Sequence, residues 1–172
     1  MRKTRVWIMF CCCLIMAIVA WAQSNRKPGL WEMTTNMAWQ QTPMPPGVTM
    51  PPGANNPFGG GPHTTQVCLT QAMIDKYGAP MPQSRGGECV IANVVIRATN
   101  MSADWICSGR MTGKGTLESS WADPNVAHGK VHFAGVMQMG QNSRPVEYTI
   151  ESTSVYKGPD CGSVQPQPMP KN

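Results

Sequence analysis

Charge is scarce in this sequence and nowhere clustered. Charged residues make up 13% of its 172 residues, with 14 Lys and Arg against 9 Asp and Glu. No run of Lys or Arg occurs, and basic residues are not interleaved with aromatics, so a nucleic-acid surface is excluded. The formal charge of +5 includes Arg2, Lys3 and Arg5; removing those three leaves +2 from Gln23 onward. Chemistry-bearing motifs are also missing. Ser108 has no G-x-S-x-G elbow around it. Gly113-Lys114-Gly115 is too short for a phosphate loop and reads as a turn between strands. His128 and His132 sit in alternating, strand-like sequence, where four residues span about 13 Å, too far to share a metal. Glu147 and Glu151 are separated in the same way, beyond the distances glycosidases use, and read as a polar outer face. A hydrolytic enzyme is therefore the least supported function, and no cofactor is implied.

The N-terminus reads as an export signal. Arg2, Lys3 and Arg5 form a basic region, Val6 to Val19 an apolar one, and Ala20-Trp21-Ala22 places small residues ahead of Gln23. The competing reading, an uncleaved anchor, has an apolar stretch at the short limit for spanning a bilayer. Cleavage after residue 22 removes three of seven cysteines and leaves Cys68, Cys89, Cys107 and Cys161. An even number after an export signal implies a disulfide framework in an oxidising compartment. Free thiols or zinc are the alternatives, but none of the four lies in a C-x-x-C pair. The expected location is periplasmic or secreted, without stable membrane insertion after cleavage.

One β domain is expected over residues 23–162. Leu30 to Met37 suits a first strand. Residues 42–63 hold seven prolines and five glycines, which can carry neither a ladder nor a helix, and read as a long loop. Thr65 to Leu69 reads as a strand. Thr70 can then cap a short helix, Gln71 to Tyr77, stopped by Gly78 and Pro80. Five further strands are expected: Glu88 to Ile96, Met101 to Gly109, Gly115 to Trp121, Lys130 to Met139, and Pro145 to Tyr156. The expected fold is mainly β: a curved antiparallel sheet or open barrel-like meander of six to seven strands with one short helix and two disulfides. The proline-rich tail, 163–172, is expected to be disordered.

Strand faces bear on the disulfide pairing. A turn near Ala98 sets Cys89 opposite Cys107, Ile91 opposite Trp105, Ala92 opposite Asp104 and Val94 opposite Ser102. A turn centred on Asn100, the better local turn residue, would slide the cysteines out of reach of each other. The first arrangement is favoured, with Cys68 joined to Cys161.

Several short motifs follow one another along the chain. Pro28-Gly29-Leu30-Trp31-Glu32 follows the signal, and a Met/Pro-rich loop precedes Cys68-Leu69-Thr70. Gly87-Glu88-Cys89, Trp105-Ile106-Cys107 and the terminal run from Tyr156 to Gly162 complete the set. Together they resemble the bacterial exported proteins grouped as domain-of-unknown-function family 3617. The resemblance implies an all-β cell-envelope protein with no assigned activity, in which Trp31 and the glycine-cysteine ends are structural. It supplies no functional residues.

Methionine remains to be explained: eleven of fourteen lie beyond residue 22. Met44, Met50 and His63 could supply soft ligands to Cu(I), although their spacing is irregular. Met33, Met101, Met137 and Met139 read as adaptable core filler. The leading expectation is a non-catalytic structural or small-ligand-binding module, its apolar ligand held between one sheet face and the proline-rich loop. A periplasmic copper-binding protein is the alternative.

Overall fold

Alternating apolar and polar residues build one sheet. The computed structural model describes residues 26–44, 61–82 and 88–170. Its elements are β1 (Gly29–Gln41), β2 (His63–Leu69), α1 (Gln71–Tyr77), β3 (Cys89–Ile96), β4 (Asn100–Ser108), β5 (Met111–Asp123), β6 (Val126–Met139) and β7 (Asn142–Gly158). The sheet order is β2-β1-β7-β6-β5-β4-β3, every pair being antiparallel and the sheet remaining open. Strands β3 to β7 form the expected meander. The signal segment, Met50 and most of the proline-rich loop lie outside the described residues.

Helix α1 has the bounds its capping residues specify. Thr70 accepts a hydrogen bond from the Met73 backbone N–H at 3.2 Å, and Gly78 ends the helix in the left-handed region at φ 67°. That turn seats residue 78 against the Trp121 ring, where a Cβ would come within 2.6 Å of Cη2. Met73, Ile74 and Tyr77 are buried in the core with Trp31, Leu69 and Trp121.

The disulfides are Cys68–Cys161 and Cys89–Cys107, with Cα separations of 5.6 and 4.0 Å. The first spans 93 residues and the second 18. Loop-closure entropy makes them worth roughly 4.5 and 3 kcal/mol. Cys89 faces Cys107, Ile91 faces Trp105 and Ala92 faces Asp104, as the strand faces suggest. Ser102, however, faces Val95 and not Val94, because a bulge at Asn93 and Val94 sets two residues against one.

Three further expectations are corrected. Gly113-Lys114-Gly115 is the interior of β5, paired with β4 on one side and β6 on the other; the turn lies at Gly109–Arg110. The glycines there serve packing: a Cβ on Gly113 would strike the Ala134 carbonyl oxygen and lie 2.8 Å from Phe133 Cζ. The second correction is the tail, which returns to the open edge of β2. Pro166 bridges Cys68 in parallel, and the Gln167 backbone N–H donates to the Cys68 carbonyl at 3.0 Å. The Gln167 side-chain amide also donates to the Met81 carbonyl. Cys161 anchors the chain to Cys68, which brings the residues after it beside unpaired backbone groups of the edge strand. The proline-rich loop also ends earlier than expected, at Pro62, since His63 already pairs with Thr35.

Candidate ligand-binding groove

The inner face carries two aromatic clusters separated along the strands. On β1, Trp31 and Trp39 share this face eight residues apart, roughly 26 Å. Trp31 packs edge-on against Tyr156, with centroids 5.3 Å apart, and belongs to the α1 end of the core. Trp39 packs edge-on against Tyr148 at 5.2 Å, and Tyr148 stacks on Phe133 at 5.3 Å. Between the clusters β1 presents Met33, Thr35 and Met37, and there the face opens into a groove of about 780 Å³. Its rim includes Gly61, His63 and Pro80 to Pro82. A volume of this size lies within the range of small-molecule sites.

Strand register sorts the groove floor into rows. Met37, Ile150, Val131 and Leu117 face one another in sequence across β1, β7, β6 and β5, giving an apolar row. The adjacent row is His63, Thr35, Ser152, Gly129 and Ser119. It is small and hydroxylated. Ser119 is 8% exposed and donates to the His128 carbonyl at 3.2 Å. Thr35 donates to the His63 carbonyl at 3.3 Å. Gly129 leaves room for its neighbour: a Cβ there would be 2.5 Å from Ser152 Oγ.

The outer face is polar and holds a second depression of about 730 Å³. One of its rows reads Asn36, Glu151, Lys130, Glu118 and Ser102. Lys130 Nζ lies 3.8 Å from Glu151 Oε1, both side chains well exposed, so the pair is worth under about 1 kcal/mol. His132 Nε2 lies 3.1 Å from Glu147 Oε1, and His128 Nδ1 lies 3.3 Å from Thr153 Oγ1. Both glutamates thus have cross-strand partners that sequence spacing did not suggest.

Two buried ionisable groups flank the groove. Arg26 is 4% exposed, and its guanidinium lies 4.7 Å from the Trp31 ring and 5.2 Å from that of Trp121. Its three nitrogens have no hydrogen-bond partner among the described residues. Burial lowers its pKa from 12.5 to about 10. At the opposite end, burial raises the Tyr148 phenol from 10 to about 12.

The candidate residues fall in different places. All four cysteines are bridged, which makes them structural. His63 is exposed in β2 and lines the groove rim, and Met44 is half-buried beyond the end of β1. Met50 lies outside the described residues, so the Met44–Met50–His63 set is not assembled there. No cluster of three or more His, Cys, Asp or Glu able to hold a metal occurs among the described residues. Trp105, like Trp31, is buried core and not groove lining. The hydroxyl row was not visible in the sequence because its members lie on five different strands. The alternation within each strand was visible; which residues stand side by side depends on register.

The fold and groove define a class: an open, single-sheet, disulfide-stapled β protein with an amphipathic concavity. The chain belongs to the family described as Protein of unknown function (DUF3617), whose model matches residues 26–161. No curated protein and no solved structure matches it. No helix among the described residues is long and apolar enough to cross a membrane.

Proposed function

We propose that this is an exported cell-envelope protein that binds a small apolar ligand on the inner face of its sheet and performs no catalysis. The groove floored by Met37, Ile150, Val131 and Leu117 is the observation that carries the reading. Such a surface left open to water loses the hydrophobic stabilisation that a bound apolar molecule restores. Methionines at its edges adapt to ligands of differing shape. The serine and threonine hydroxyls bonded to backbone carbonyls serve as fixed polar contacts and not as nucleophiles. Export is supported by the basic-then-apolar N-terminus and by two disulfides, which persist in oxidising compartments.

Native mass spectrometry of the protein recovered from a periplasmic extract tests this directly. The expected result is a chain beginning near Gln23 that carries an organic mass, together with uptake of the apolar fluorophore diphenylhexatriene by the stripped protein. A bare polypeptide that takes up no fluorophore would refute the reading.

A further inference from the structure

We infer that the ligand is a neutral amphiphile with a hydrogen-bond-donating head, such as a monoacylglycerol, a fatty alcohol or an acyl amide. The inference rests on the groove being a binding site and adds which chemistry it selects and how the ligand lies.

The argument starts from two adjacent rows. A purely hydrocarbon ligand would leave the open lone pairs of the hydroxyl row facing apolar surface, and burying acceptors without donors is costly. A purely polar one would waste the row formed by Met37, Ile150, Val131 and Leu117. A chain with a polar end satisfies both. The alkyl part lies along the apolar row, and the head meets the hydroxyl row, in which Thr35 and Ser152 are one strand apart, Ser119 lies two strands beyond Ser152 across Gly129, and His63 stands at the exposed end.

The hydrogen-bond directions then choose the head. Ser119 commits its proton to the His128 carbonyl, and Thr35 commits its own to the His63 carbonyl. A hydroxyl that donates to the backbone has only lone pairs left for a ligand. These oxygens therefore welcome an O–H or N–H and repel a carboxylate, which at neutral pH can only accept. Lys130, which borders the groove, turns its ammonium to Glu151 on the outer face and so does not offset that repulsion. Gly129 completes the row by leaving Ser152 Oγ room over its bare Cα, so the head can approach the sheet closely.

Displacement of bound diphenylhexatriene provides the test, with two competitors of equal chain length: monododecanoylglycerol and dodecanoate at pH 8, where the carboxyl is ionised. The glycerol ester is expected to displace the fluorophore at least about tenfold more tightly than the carboxylate. In the double variant Thr35→Val with Ser152→Ala, which removes the two neighbouring hydroxyls of the row, affinity for the ester should fall about tenfold, the loss expected for two ordinary hydrogen bonds. Fluorophore binding should be unchanged, which also reports that the variant is folded. If dodecanoate competes as well as the ester, or the double variant binds the ester as tightly as the parent, the head-group inference is wrong while the groove stands. If the fluorophore never binds, the groove reading itself falls and takes this inference with it.

Discussion

Cys89 stands directly opposite Cys107 although the hairpin between them turns a position too late for an unbroken ladder. The turn pairs Ile96 with Met101, closed by the Arg97 N–H on the Asn100 carbonyl at 2.8 Å. Continued regularly, that register would set Val90, not Cys89, against Cys107 and point the Cys89 side chain to the opposite face. Asn93, at φ 51°, absorbs the extra residue, and its side-chain amide donates to Asp104 Oδ2 at 2.6 Å. Asparagine is among the few residues that tolerate this conformation.

Asn93→Val should therefore cost about 1–2 kcal/mol, read by urea unfolding, because a β-branched residue resists the left-handed region. Deleting Asn93 should be milder for the bridge. It returns the strand to a regular ladder with Cys89 still opposite Cys107, so non-reducing peptide mapping should recover the disulfide in full. Free thiols at both positions in the deletion variant would show that the bulge has been misassigned.

Two glycines of the inner face separate packing from ligand access. A methyl on Gly113 meets the Ala134 carbonyl oxygen and Gly135 Cα, which are backbone and cannot yield, as well as the Phe133 ring. Gly113→Ala is expected to destabilise by about 1–3 kcal/mol in chemical denaturation, the range for overpacking. A methyl on Gly129 meets Ser152 Oγ, which can rotate away. Gly129→Ala should leave the unfolding midpoint nearly unchanged while weakening monododecanoylglycerol binding. Equal loss of stability in the two variants would contradict this division.

Which of these features could be read in advance follows from their range along the chain. Helix α1 was legible because Thr70, Gly78 and Pro80 act within a few residues of it. The β3–β4 pairing was legible apart from its bulge, since the two strands are joined by a short turn. Gly113 and Gly115 misled because glycine signals a turn as readily as close packing, and only the Phe133 ring, some twenty residues later, distinguishes the two. The tail looked free because its prolines exclude regular structure. The Cys68–Cys161 bridge nevertheless carries it to the edge of β2, where an extended chain needs few donors. The groove rows required register among β1, β5, β6 and β7, which alternation within a strand cannot supply.

Arg26 tests whether a buried cation is tolerated or useful. Its contacts with Trp31 and Trp121 are worth roughly 1–2 kcal/mol each when desolvated. The cost of burying a guanidinium that has no hydrogen-bond partner among the described residues is several kcal/mol, so the balance is unfavourable. Arg26→Met keeps the packing volume and removes the charge, and should raise stability by about 1–3 kcal/mol. Arg26→Ala should lower it through lost packing against the two rings. A melting temperature that drops as far for Met as for Ala would mean that the charge has a partner it needs.

Tyr148 gives the fold a dependence on alkaline pH that can be isolated. Its phenol is 6% exposed between Phe133 and Trp39, and burial raises its pKa from 10 to about 12. The folded state then holds the phenolic proton more tightly than the unfolded chain. The stability linked to that proton is fully present below pH 10 and is lost as pH rises through about 12. Arg26 acts in the opposite direction: with its folded pKa lowered to about 10, its burial cost is felt below that pH and relieved above it. Comparing the parent with Tyr148→Phe cancels the Arg26 contribution, which both share. At pH 7 the two should differ by less than about 1.5 kcal/mol, the net worth of one hydroxyl contact. Between pH 10 and 12 the parent should lose stability steadily relative to the variant in urea unfolding. A difference that stays flat across that interval would mean that water reaches the phenol and that the aromatic cluster around it is not sealed.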